Sequence, residues 1–372
     1  METRPPKRVL LAAPMRTRGG EERVVLELAR RLGTRGVTAG LACDPAGPLL
    51  KELEGSVPVF GVDYYGGERA AFRATRRAIA AFAPDVVHCH GTRPGLSARA
   101  AAVRSGVRVL WTVHLHPMWG PRLERSLAAR SAFRLGIWAL SPFTASTVFV
   151  SSALERSFRS FAWPGPMPRA VVTNGVDIDH YRPDPTTAAR FRAEHSIPED
   201  AVLAGMVARL TPRKGIDLFI RALASCGRDD LFGLVAGEGE DRARLEGLIA
   251  GLGLQNRFRL LGEVEDTWPV VCALDVGVLP SHGEGLPLSV MEMLASGAEV
   301  FLSDIPEHAD FACAGDALSS FALDDESGLA RLLAGADRRS TQRSERARAA
   351  AVEHFDLERK IDAYVNLYGG GG

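Results

Sequence analysis

Short apolar runs alternate with segments whose apolar residues recur every three or four positions. The run 9–13 has strand length, and 21–32 places Val24, Val25, Leu28, Ala29 and Leu32 on one helical face. Strands are predicted next at 38–43, 85–89, 107–113, 149–151 and 169–173. Helices are predicted at 69–82, closed by Pro84, and at 96–104. A second series begins after Tyr181-Arg182-Pro183-Asp184-Pro185, with strands at 201–208, 231–236, 258–261, 276–279 and 300–303. Its helices are predicted at 216–224, 241–251, 288–295, 326–333 and 341–367. Strand-helix-strand alternation implies right-handed crossovers and a parallel sheet covered on both faces. The expected fold is therefore α/β, with two Rossmann-like, doubly wound parallel-sheet domains facing across a cleft. Residues 1–183 form the first, 184–350 the second, and a C-terminal helix, 351–368, is a candidate to cross back to the first.

The length of 372 residues suits two domains, and 46% hydrophobic with 24% charged residues is ordinary for a globular chain. No stretch is apolar for long enough to span a membrane, and 9–13 reads as a buried strand rather than a signal peptide. Five widely spaced cysteines without a C-x-x-C pair argue against a disulfide frame or a zinc site. A cytoplasmic location is expected, with peripheral attachment to the inner face of a membrane as one option. The zero net charge is unevenly spread: residues 1–183 hold 26 basic and 14 acidic side chains, and residues 184–372 hold 19 and 31. Such halves either meet different partners or attract each other. The basic half, with Trp119, Arg122, Arg125, Arg130, Arg134, Phe158, Arg159, Phe161 and Trp163, suits an anionic membrane surface or is simply a solvated face. Nucleic acid is not an expected partner.

Four segments could carry chemistry. Arg18-Gly19-Gly20-Glu21-Glu22 joins a strand to a helix, where glycines let a ligand approach the backbone and helix-start amides suit phosphate; it also reads as a tight turn. His114 ends a predicted strand, where it can hydrogen-bond a sugar hydroxyl, carry a proton or merely cap the strand. His88, His90 and His116 lie near it in sequence, but carboxylates or cysteines at metal-ligand spacing are missing. Arg209, Arg213 and Lys214 sit between a strand and a helix, as a diphosphate clamp or a solvated basic turn. The segment 280–292 sets Glu284 before Gly285, Leu286 and Pro287, with Glu292 in the helix that follows. Carboxylates accept hydrogen bonds from vicinal hydroxyls, so one can hold a hexose and the other a ribose; alone, the spacing equally describes a surface loop and a helix-start acid.

Taken together these residues resemble glycosyltransferase family 4, the retaining family with the GT-B fold. Gly19-Gly20-Glu21 with 28–32, 85–90 with Val113-His114, Thr173-Asn174-Gly175-Val176-Asp177, Arg209 with Lys214-Gly215, Gly237-Glu238-Gly239, Leu261-Gly262 and the pair Glu284 and Glu292 match its motifs in order. The resemblance implies a retaining, metal-independent hexosyltransferase using a UDP- or GDP-sugar, with no cofactor, on a glycan, lipid-linked or small-molecule acceptor. It implies that His114 contacts the sugar, Arg209 and Lys214 bind the diphosphate, and Glu284 binds sugar hydroxyls. Gly19, Gly20, Gly285 and Leu286 would supply backbone to the donor, Glu292 would bind the ribose, and Gly262 with Val264 would lie by the base. Two departures are Gly297-Ala298-Glu299 before a predicted strand and Asp304-Ile305-Pro306-Glu307 after it. The alternatives are a nucleotide-sugar epimerase on a related fold and a non-catalytic nucleotide-sugar-binding protein.

Overall fold

The computed structural model describes residues 8–369, apart from 54, 104, 118–125, 163, 164 and 166. Trp119, Arg122, Arg125 and Trp163 therefore lie outside the described residues. The chain divides into two compact units, residues 1–174 with 358–372, and residues 175–357.

The first unit holds a sheet of β1 (Arg8–Ala12), β2 (Thr38–Cys43), β3 (Val59–Gly61), β4 (Val86–His90), β5 (Arg108–Val113), β6 (Ser146–Phe149) and β7 (Arg169–Val171). Its order is β3-β2-β1-β4-β5-β6-β7 and every pairing is parallel. β4 is buried at every position, the burial expected when helices cover both faces of a sheet. The last helix, Leu357–Gly369, packs in this unit from Glu358 onward. Arg31 Nε lies 2.8 Å from Glu358, Arg35 Nε lies 2.9 Å from Asp362, and Ile361, Tyr364 and Tyr368 are buried.

The second unit holds β8 (Val202–Val207), β9 (Leu231–Ala236), β10 (Phe258–Gly262), β11 (Val276–Leu279), β12 (Glu299–Asp304) and β13 (Leu318–Ala322), in the order β10-β9-β8-β11-β12-β13, again all parallel. In both sheets the order reverses beside the first strand of the unit. That switch point leaves the loops beyond β1 and β4, and beyond β8 and β11, free to hold ligands.

Differences from the sequence reading have local causes. Residues 175–183 pack in the second unit, where the Arg348 guanidinium donates to the carbonyls of Ile178 (2.6 Å) and Tyr181 (2.5 Å). The segment 341–367 is two helices, Thr341–His354 and Leu357–Gly369, because Val176 bridges to Asp356 between them. Helices Leu127–Leu140, Ser152–Phe161, Pro185–Glu194 and Trp268–Ala273 were not expected, nor were β3 and β13. Among the described residues no helix is long and apolar enough to cross a membrane.

Candidate functional site

In the second unit the loop after β8 packs against the loop after β11. Gly215 has φ +63°, and a Cβ there would stand 2.1 Å from the Pro280 carbonyl oxygen, so only glycine allows this approach. The His282 amide donates to the Arg213 carbonyl (2.9 Å), and the Arg213 guanidinium donates to the Gly283 carbonyl. These contacts bring Lys214 Nζ to 2.5 Å from Glu284 Oε1, with Arg213 3.7 Å from the other carboxylate oxygen.

Lys214 and Glu284 are both largely shielded, with side chains 14% and 7% exposed. Burial by itself pushes the Glu284 carboxyl pKa up. The charges of Lys214 and Arg213 and the hydrogen bond from Lys214 outweigh it, leaving the group below its ordinary value and ionised. Gly285 and Leu286 follow Glu284 directly and lead into helix Leu288–Ala295, whose N-cap is Pro287. The positive end of that helix lies beside the ion pair in sequence.

Glu292 is buried in the same helix, and its carboxylate accepts a hydrogen bond from Thr267 (3.1 Å), which lies 2.8 Å from the Tyr181 hydroxyl. Thr267 belongs to the segment that begins with Gly262, at φ +82°, and passes through the half-buried Val264. Sequence reasoning missed Tyr181 and Thr267, which no motif marks. Arg209 is exposed just beyond the end of β8. His308 was also missed. It is buried near Glu284 and Lys214, with Nδ1 2.8 Å from the Ser303 carbonyl oxygen and Nε2 enclosed without a hydrogen-bond partner; desolvation lowers its pKa.

In the first unit Gly19 is the N-cap of helix Gly20–Arg31, in extended backbone and without a side-chain cap. Glu21 and Glu22 already occupy its first turn. Glu21 Oε1 is enclosed without a hydrogen-bond partner, and burial followed by repulsion from Glu22 pushes its pKa up to about 8. The carboxylate lies against Gly91, where a Cβ would come within 2.3 Å of Oε1.

His114 follows β5. The register pairs His90 of β4 with Thr112, which sets His114 Nε2 3.0 Å from His90 Nδ1. His88 lies 2.7 Å from both the Tyr368 hydroxyl, at Nδ1, and the Thr112 hydroxyl, at Nε2. Desolvation is the first cause lowering the pKa of all three, to about 3 for His88 and His114, so the cluster is neutral at pH 7. His116, further along, packs against Phe158 and Phe161. Among the described residues no group of three or more His, Cys, Asp or Glu is arranged to hold a metal ion.

A family model described as Glycosyltransferase Family 4 matches residues 18–180, and one described as Glycosyl transferases group 1 matches residues 188–339. Similar curated proteins include the Escherichia coli O-antigen biosynthesis glycosyltransferase WclY, 27% identical over 296 residues that cover 76% of this chain and 78% of the relative. The Escherichia coli UDP-Gal:alpha-D-GlcNAc-diphosphoundecaprenol alpha-1,3-galactosyltransferase is 26% identical, covering 77% and 76%. The D-inositol 3-phosphate glycosyltransferase of Geodermatophilus obscurus is 29% identical, covering 94% and 84%. Among solved structures, Anabaena HepE in complex with UDP and glucose superposes with a TM-score of 0.83 at 19% identity, covering 97% of this chain and 98% of its own. WaaG, described as a glycosyltransferase involved in lipopolysaccharide biosynthesis, gives 0.73 at 17% identity, covering 98% and 100%. These likenesses give the GT-B fold.

Proposed function

The chain belongs to glycosyltransferase family 4, and from that premise we propose that it transfers a hexose from a UDP- or GDP-sugar, with retention of anomeric configuration and without a metal. The observation that carries this reading is the Lys214–Glu284 pair, an ammonium and an ionised carboxylate held together in a largely buried loop junction. A lysine has three donors, so Lys214 can keep Glu284 while meeting a phosphate oxygen. Glu284 has acceptor sites left for sugar hydroxyls. Arg209 and Lys214 bind the diphosphate and stabilise the charge that develops on the departing phosphate, and the start of helix Leu288–Ala295, through Gly285 and Leu286, adds backbone dipoles. Glu292, held by Thr267, accepts from the ribose, and the stretch from Gly262 to Val264 lies by the base. Gly19 and Gly20 serve close approach of the backbone rather than charge capture, because Glu22 already occupies the first turn at the positive helix end. His114 contacts the transferred sugar.

The acceptor on this reading is a glycan or lipid-linked sugar. Helix Leu127–Leu140 supports the lipid-linked form. Leu127, Leu135 and Trp138 stand on one exposed face of it, 76%, 50% and 50% exposed, and Phe143 just beyond is 54% exposed. An apolar face of this kind suits peripheral contact with a membrane, where the cytoplasmic end of such an acceptor would lie. Transfer assays with a panel of donors and acceptors test the reading: loss of transfer in Glu284→Ala and Lys214→Ala with the fold retained is expected. Near-normal turnover in both would refute the site, and turnover of donor alone to an epimer would favour the epimerase.

A further inference from the structure

Three neutral histidines packed in the first unit must share their protons in one consistent pattern, and that pattern decides what His114 offers a ligand. His90 is fully buried and His114 is 8% exposed. Their facing nitrogens, His90 Nδ1 and His114 Nε2, lie 3.0 Å apart. Between two neutral rings, one of these nitrogens carries the hydrogen and the other accepts it. The remaining nitrogen of His90, Nε2, is enclosed and has no hydrogen-bond partner.

The two arrangements differ in what they leave on that enclosed nitrogen. If His114 Nε2–H donated to His90, then His90 Nε2 would carry a hydrogen with nothing to receive it. If His90 Nδ1–H donates to His114, only a lone pair is left unserved. A buried orphan N–H is the rarer case, whereas an under-served buried lone pair is tolerated more often. The neighbouring ring does not relieve it, because both nitrogens of His88 are engaged, by Tyr368 and by Thr112, and its ring lies tilted against His90 at 4.0 Å between centroids.

We propose that His90 is a positioning residue that holds His114 as the Nδ1–H tautomer, so that His114 donates a hydrogen bond to an oxygen of its sugar ligand and takes up no proton from it. With Nε2 of His114 occupied by His90, Nδ1 is the ring nitrogen left to meet a ligand, and it carries the hydrogen. This proposal rests on the assignment of His114 to the sugar and decides between the two roles open to that residue, hydrogen bonding and proton carriage. The helix Leu357–Gly369 takes part at one remove, since Tyr368 fixes His88 and His88 packs on His90.

Long-range proton–nitrogen NMR on the nitrogen-labelled full chain reads the tautomer directly, with the signal identified by its loss in His114→Gln. The expected result is a neutral His114 with its hydrogen on Nδ1 throughout pH 6–8. Asparagine places an amide nitrogen close to the position of histidine Nδ1, so His90→Asn is expected to preserve that tautomer and to keep kcat/KM within about threefold. His90→Leu is expected to move the hydrogen toward Nε2 and to lower kcat/KM about 30-fold or more. An Nε2–H tautomer in the unaltered protein, or a tautomer indifferent to His90→Leu, overturns the proposal. The tautomer is measured without turnover, so its failure is distinct from failure of the sugar-contact assignment, which would show as full transfer activity in His114→Gln.

Discussion

Lys214 Nζ and Glu284 Oε1, 70 residues apart in sequence, meet at 2.5 Å, tying the turn after β8 to the loop after β11. Each needs the other. Without Lys214 the carboxylate loses the first of the charges that offset its burial, and without Glu284 the ammonium loses the group that aims it. Lys214→Ala and Glu284→Ala are each expected to lower kcat by about 100- to 1,000-fold, the range for removing one preorganised electrostatic contact. The double variant should be little worse than either single one, because the two act as a unit. Steady-state kinetics on the three variants check this.

The pair also sets a pH dependence of stability. The folded-state pKa of Glu284 lies below its ordinary value of 4.5, so its contribution is present above about pH 4.5 and is lost as pH falls through the lower, folded value. Lys214→Met is therefore expected to unfold at a lower temperature than the unaltered protein at pH 7. The gap should close as the pH is taken well below 4.5. Thermal melts across that range measure it.

Glu21 should behave oppositely. Its folded-state pKa is raised from 4.5 to about 8, so its carboxyl costs nothing below pH 4.5 and progressively destabilises the fold as pH climbs toward 8. Glu21→Gln, which keeps the shape and removes the titration, is expected to match the unaltered protein near pH 4 and to melt several degrees higher at pH 8. An unchanged difference across the range would show that the carboxyl is not desolvated.

The exposed face of helix Leu127–Leu140 predicts membrane binding. The protein should sediment with vesicles containing anionic lipid, and Leu135→Asp with Trp138→Asp should abolish this while leaving the melting temperature within a degree or two. Those two side chains are half exposed and contribute little to the core. Sedimentation unaffected by both changes would remove the assignment.

Continuous apolar runs made the buried strands readable: β2, β9 and β11 fall at the predicted residues, and β8 within one residue at each end. Two of the four edge strands, β3 and β13, were not readable. β3 has only three residues, none of them buried, and β13 carries Ser319 and Ser320 among apolar neighbours, so neither displays a burial pattern. Helix Leu127–Leu140 was hidden because its solvent face is apolar as well, which erases the helical period. Lys214, Glu284 and Glu292 were each legible as candidates from their place beside strand ends and a helix start. Their partners were not. The contact of Thr267 with Glu292, and that of His90 with His114, depend on strand register and loop packing that leave no local signature.

The central claim is that Arg209, Lys214, Glu284 and Glu292 hold a nucleotide-diphosphate sugar without a metal. Thermal shift in the presence of EDTA with a series of UDP- and GDP-sugars tests it most directly, because a ligand that binds only the folded state raises the melting temperature. One donor class is expected to stabilise the unaltered protein at saturating concentration and to leave Lys214→Ala and Glu284→Ala unshifted. No shift with any nucleotide sugar, or an undiminished shift in both variants, would contradict the account.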